Sequence, residues 1–147
     1  MHDTTILTHL SEVCQVRKRL RIMILEDEID RYPRNQIKIV LEKHELTIAK
    51  SCDEGIEKFV GPYDLLLLDH DMEGDYEYRP EFPNTGYQFV KWLVGVRSVL
   101  PLPQVILHSH NPVGRARMRD LLHEHDFSVD ECYFGPDYIK QLKEQLG

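Results

Sequence analysis

Three groups of polar residues each follow a short apolar run: Glu26, Asp27 and Glu28 after residues 22–25, Asp69, His70 and Asp71 after 65–68, and His108, Ser109, His110 and Asn111 after 105–107. Carboxylates brought within a few ångströms of one another cannot all stay ionised without a cation, so Glu26, Asp27, Asp69 and Asp71 read as a divalent-metal set. Hard oxygen ligands favour Mg²⁺ or Mn²⁺, while the neighbouring histidines leave zinc or nickel open. His70 and His108 can move protons. Ser109 and Asn111 offer hydrogen bonds to an anion, and Arg115, in the first turn of a helix, offers a guanidinium fork beside backbone donors.

These groups act together only if the runs before them are neighbouring strands that end at one edge. The pattern of elements supports that. Residues 22–25, 46–49, 65–68 and 105–107 read as buried strands, and 131–134 as a weak fifth. Between them lie helical patterns. Asp30 and Pro33 open one with Ile37, Val40, Leu41 and His44 on its face, and Ser51 with Glu54 forms a capping box for a helix that Gly61 and Pro62 stop. A helix from Gly86 turns Tyr87, Val90, Leu93 and Val94 inward, a stripe of Met118, Leu121, Leu122 and His125 marks the next, and Pro136 starts a last one with Ile139, Leu142 and Leu146. Five strand and helix units imply an α/β, doubly wound, five-stranded parallel sheet, whose site lies beyond the carboxyl ends of the strands. The polar segment 73–85 is long for a strand-to-helix connection, as functional loops often are.

Composition narrows the rest. With 147 residues, 41% of them hydrophobic, the chain suits one domain with a single core. A net charge of −7 argues against a protein that grips nucleic acid chiefly by neutralising phosphates. Residues 1–20 read as an extension to a domain over 21–147. The extension carries Arg17, Lys18 and Arg19 and a short amphipathic pattern of Ile6, Leu7, Leu10 and Val13, which suits a packing arm. Cys14, Cys52 and Cys132 lack the spacing of a disulfide or zinc framework and read as free thiols. No apolar signal segment or membrane span is visible, so a cytoplasmic protein is expected. Glu28, Asp30, Glu73, Asp75, Glu77 and Glu81 read as caps or solvated loop ends. His44, His123 and His125 read as surface or packing residues, and Tyr87 and Trp92 as core.

The acids after strand one, Asp69 after strand three, Ser109 after strand four and Pro136 after strand five resemble the receiver domain of two-component response regulators. That domain binds Mg²⁺ with its paired acids and takes a phosphoryl group on the strand-three aspartate. The lysine it places before the last proline is Gly135 here, so a phosphoacceptor role is disfavoured. A narrower resemblance rests on LEDEIDRYP (25–33), LDHDM (68–72), TGYQFVKWL (85–93) and HSHNPVGRARM (108–118). These segments are similar to the cyclic-phosphate processing receiver domain family, a divergent receiver branch. Its first segment runs closer to LDDER, so Glu26 stands for an aspartate and Ile29 and Asp30 precede Arg31.

The resemblance implies a flavodoxin-like, receiver-like sheet of order 2-1-3-4-5. It implies hydrolytic processing of a cyclic phosphate, an RNA 2′,3′-cyclic phosphate end in repair or a small cyclic nucleotide, with Mg²⁺ or Mn²⁺ as cofactor and a phosphate-containing small molecule or RNA end as partner. Its active residues map onto Asp27, Asp69, His70, Asp71, His108, Ser109, Asn111 and Arg115. The residue types suit that reaction, which needs an activated water, a proton for the departing oxygen and positive charge on the phosphoryl oxygens. Asp69, His70, His108 and Ser109 are the catalytic candidates. Glu26, Asp27, Asp69 and Asp71 are the metal ligands, and Ser109, Asn111 and Arg115 the substrate contacts. The alternative is a receiver-like module that binds a phosphorylated ligand or a partner protein without turnover. A haloacid-dehalogenase-type phosphatase fits less well, since its aspartate pair follows the first strand and precedes Thr or Val, whereas here the pair ends the third run and Met72 follows.

Overall fold

Strands β1 (Arg21–Leu25), β2 (Glu45–Ala49), β3 (Leu65–Leu68), β4 (Gln104–Leu107) and β5 (Val129–Glu131) form one parallel sheet in the order β2-β1-β3-β4-β5, as expected. The computed structural model describes residues 19–72, 85–96, 101–109, 111–132 and 136–146. The extension through residue 18 with Cys14, most of the segment 73–85, His110 and Gly135 lie outside the described residues. Helices α1 (Arg34–Leu41), α2 (Cys52–Lys58), α3 (Gly86–Val94), α4 (Pro112–Glu124) and α5 (Pro136–Leu146) complete the alternation.

Period-two alternation along each strand divides the interior into two layers. Ile22, Ile24, Leu65, Leu67 and Ile106 face one side, where Ile37, Val40 and Leu41 of α1 meet Ile139, Leu142 and Leu146 of α5. Met23, Leu25, Leu66, Leu68, Val105 and Leu107 face the other, covered by Cys52 of α2, Phe89, Val90 and Leu93 of α3, and Met118 and Leu122 of α4. Central β3 is Leu at all four positions, each fully buried, because both of its faces are covered. Among the described residues no helix is long and apolar enough to cross a membrane. Cys52 and Cys132 are free thiols, and burial pushes them up to about 11 and about 12, which keeps both protonated.

The elements differ from the expected bounds where packing overrides pattern. The fifth strand is Val129–Glu131 rather than 131–134, because Val105 pairs with Val129 and Leu107 with Glu131. Tyr133 and Phe134 are outside the described residues. Helix α2 opens as expected, with Ser51 Oγ accepting from Glu54 N at 3.0 Å, but ends at Lys58. Phe59 leaves the helix to join Tyr63 and Trp92 at centroid distances of 5.0 and 5.6 Å. In α3 the inward face includes Phe89, and Trp92 packs half-buried beside it.

Helix α1 ends at Leu41, short of His44, whose ring has another task. His44 Nδ1 accepts from Leu20 N at 3.0 Å, and Nε2 lies 3.0 Å from the Leu146 carbonyl oxygen, an acceptor to which it donates. The imidazole thus ties the lead into β1 to the end of α5. Replacing His44 with Ala removes the partner of two buried backbone groups and is expected to lower unfolding free energy by about 2–4 kcal/mol in denaturant titration. A change below about 0.5 kcal/mol would show the bridge to be dispensable.

Candidate functional site

Register brings the polar groups together. Leu25 pairs with Leu68 and Leu68 with Leu107, so the three strands end abreast. The ladder runs one residue further: Asp69 N donates to Leu25 O and His108 N to Leu68 O, each at 3.0 Å. Glu26, Asp69 and His108 therefore stand side by side, and alternation turns all three to the face that Ile24, Leu67 and Ile106 share. One donor atom from each lies within 4.8 Å of the others, and the residues are 0, 8 and 1% exposed.

Such a group needs a cation. Arg34, the first residue of α1, supplies one: its Nε contacts Glu26 Oε1 as an ion pair, and Nη1 lies 3.7 Å from Glu28 Oε2. Burial, the side-chain hydrogen bond with Asp69 and the Asp69 charge push the Glu26 carboxyl up to about 9. Arg34 pulls the other way, and the Asp27 charge adds a smaller push. At neutral pH Glu26 thus keeps a proton amid carboxylates, where a divalent ion would relieve the same strain. Glu26, Asp69 and His108 fit such an ion in number and donor type.

The next residues along the strands turn the opposite way and build a second polar group. His70 Nδ1 lies 2.9 Å from Asp71 Oδ1, and the Asn111 amide nitrogen lies 3.4 Å from each of them. The His70 ring rests on Gly114 of α4, where a Cβ would come within 2.4 Å of it. Asn111 caps α4, its Oδ1 accepting from Gly114 N at 2.9 Å, and Ser109 Oγ accepts from Asn111 N at 3.0 Å. On the face it shares with α4, Gly86 opens α3 against the same strand end. Its N–H donates to His70 O at 2.7 Å, and a Cβ there would meet Asp69 O at 1.9 Å. Only glycine lets the helix start so close.

The expected site residues thus fall into two sets. Glu26 and Asp69 meet His108 rather than Asp71, which is exposed, bridges to Thr85 and orients His70. Asp27 sits half-buried between β1 and α1, near enough for its charge to act on Glu26. Arg115 is engaged by protein groups: Nε donates to Glu131 Oε1 at 3.0 Å and Nη1 to the Ser109 carbonyl at 2.6 Å. Glu28 and Asp30 pair with Arg31 and Lys38, as caps and loop ends do. Sequence reasoning missed Arg34, Glu131, Gly86 and Gly114. Arg34 carried a signal, because a cation at the first position of a helix opposes the macrodipole and needs a nearby acid.

Metal-free protein should lose stability as pH rises. The unfolded chain releases the Glu26 proton near the usual 4.5 whereas the folded chain holds it to about 9, so the contribution is full below 4.5 and declines across that window. Thermal melts in chelator should show the decline for wild type and a flatter profile for Glu26→Gln. Parallel profiles for the two proteins would contradict it.

Solved structures show the fold alone. A CheY-like response regulator receiver domain of Methanospirillum hungatei JF-1 is 18% identical, with a TM-score of 0.57 over 87% of this chain and 94% of that one. The non-phosphorylated HemR receiver domain of Leptospira biflexa is 14% identical, with a TM-score of 0.58 over 88% of this chain and 95% of that one. The receiver domain of a signal transduction histidine kinase from Syntrophus aciditrophicus is 20% identical, with a TM-score of 0.52 over 85% and 90%. Among curated proteins none matches the chain. The family model described as the cyclic-phosphate processing receiver domain matches residues 21–124, from the first residue of β1 to the last of α4. With strand order and sequence model in agreement, the chain belongs to the cyclic-phosphate processing receiver domain family.

Proposed function

We propose that the chain hydrolyses a cyclic phosphate, either an RNA 2′,3′-cyclic phosphate end or a small cyclic nucleotide, with the aid of a divalent ion. The observation that carries this reading is the meeting of Glu26, Asp69 and His108 within 4.8 Å beside an oriented His70–Asp71 pair. A divalent ion, when bound, would polarise a phosphoryl oxygen and lower the pKa of a water.

The protein groups then divide the work. Water adds across one P–O bond of the ring, leaving a phosphomonoester on one oxygen and a hydroxyl on the other. His70 is the better proton carrier of the two histidines. Its side chain is 12% exposed and Asp71 fixes its orientation, whereas His108 is 1% exposed. Ser109 Oγ and the Asn111 amide meet the phosphoryl oxygens, the amide being held by its present partners only at 3.4 Å. Arg115 adds positive charge at the start of α4, though Glu131 already offsets part of it. The free thiols Cys52 and Cys132 suit work in the cytoplasm.

Balanced charge at Arg115 is the one feature that favours the competing reading, a module that binds a phosphorylated ligand without turnover. Incubation of the purified chain with a nucleoside 2′,3′-cyclic monophosphate and Mg²⁺ or Mn²⁺ separates the two. Chromatography should show the phosphomonoester, with turnover reduced about 1,000-fold by Asp69→Asn and about 100-fold by Asp71→Asn through kcat rather than KM. A panel of cyclic phosphates left intact under every ion would remove the hydrolytic reading.

A further inference from the structure

We propose that His108 is a metal ligand, and that Glu26, Asp69 and His108 select a first-row transition ion of the Mn²⁺ to Zn²⁺ series over Mg²⁺. The inference rests on the reading of this crevice as a divalent-ion centre, but not on the reaction performed there.

Three observations carry it. The first is the donor set: one imidazole nitrogen and two carboxylates, contributed by three adjacent strand ends within 4.8 Å. Ligands about 2.1 Å from one ion lie at most about 4.2 Å apart, so closing onto an ion takes side-chain shifts on the order of an ångström or less. Imidazole suits Zn, Cu, Fe and Ni, whereas Mg²⁺ prefers an all-oxygen octahedron.

The second is burial. The three residues are 0, 8 and 1% exposed, and Mg²⁺ gives up its waters reluctantly. A closed nitrogen and oxygen pocket suits an ion that accepts fewer waters. The third is Glu26. It is fully buried, its carboxyl lies against Asp69 and His108, and among the described residues Arg34 is the one cation that acts on it, against the carboxylates of Asp69 and Asp27. Two buried carboxyls facing each other beside a single arginine form a group whose repulsion a divalent ion would offset. The position of His108 fits the same role, since a ring 1% exposed exchanges protons with solvent poorly while its nitrogens sit beside two oxygen donors.

The full chain, stripped with chelator and labelled with ¹⁵N-histidine, tests this without any substrate. Long-range ¹H–¹⁵N spectra with Zn²⁺ should move one imidazole nitrogen to a coordinated shift, the resonance missing from His108→Gln, and saturating Mg²⁺ should leave it in place. Calorimetry should give Zn²⁺ and Mn²⁺ an affinity on the order of 100-fold above Mg²⁺, and His108→Gln should reduce that preference to a few-fold. If His108→Gln does not fold by circular dichroism, the wild-type resonance and the wild-type ion preference decide.

An unmoved His108 resonance in saturating Zn²⁺, or equal affinity for Mg²⁺ and the transition ions, would overturn the proposal. Binding of no ion at all would overturn it together with the metal-assisted reading. A chain that binds Zn²⁺ through His108 yet leaves cyclic phosphates intact keeps this inference and loses the hydrolytic one. A chain that turns over with Mg²⁺ while His108 stays unmoved does the reverse.

Discussion

The parallel register of β1, β3 and β4 is the constraint on which the site depends. Leu25, Leu68 and Leu107 are partners across the sheet, so the residue after each is delivered to the same height and the same face. A slip of one residue in any strand would turn its polar group to the opposite layer. The apolar residues just before these positions, Ile24, Leu67 and Ile106, lie in the layer under α1 and α5 and oppose such a slip, because it would expose their faces to the wrong helices. The same burial that fixes register also makes the site electrostatically demanding. Glu26 lies fully buried at the end of the strand, where carboxylates are costly without a counter-charge.

The fold was legible wherever burial on both faces left a continuous apolar run. Residues 65–68 could be little else than a central strand, and the switch in strand order between β1 and β3 put the acids where a doubly wound sheet places its ligands. The fifth strand was less legible. It lies at the sheet edge, and two of its three residues are Asp130 and Glu131, so pairing with β4 sets it rather than its own hydrophobicity.

The site was legible in its residues and less so in their grouping. Counting one position past each run finds Glu26, Asp69 and His108. Asp71 was grouped with Asp69 because both follow the third strand, and an extended chain would put both on one face. Instead it leaves the sheet at Asp69, where Gly86 takes the His70 carbonyl and Asp71 bridges to Thr85. Arg34 escaped notice because its partner Glu26 is on another element and no local spacing announces the pair. Arg115 read as an anion contact from its place in α4, but its acid, Glu131, sits on a strand that was itself misplaced by two residues.

The imidazole bridge between Leu20 and Leu146 fixes where the described chain enters and leaves. Both ends gather at the amino-terminal rim of the sheet, and the five residues of β1 separate that rim from the donors by roughly 16 Å. Leu20 and Leu146, tied through this ring, are therefore held on the side of the sheet away from the three donors.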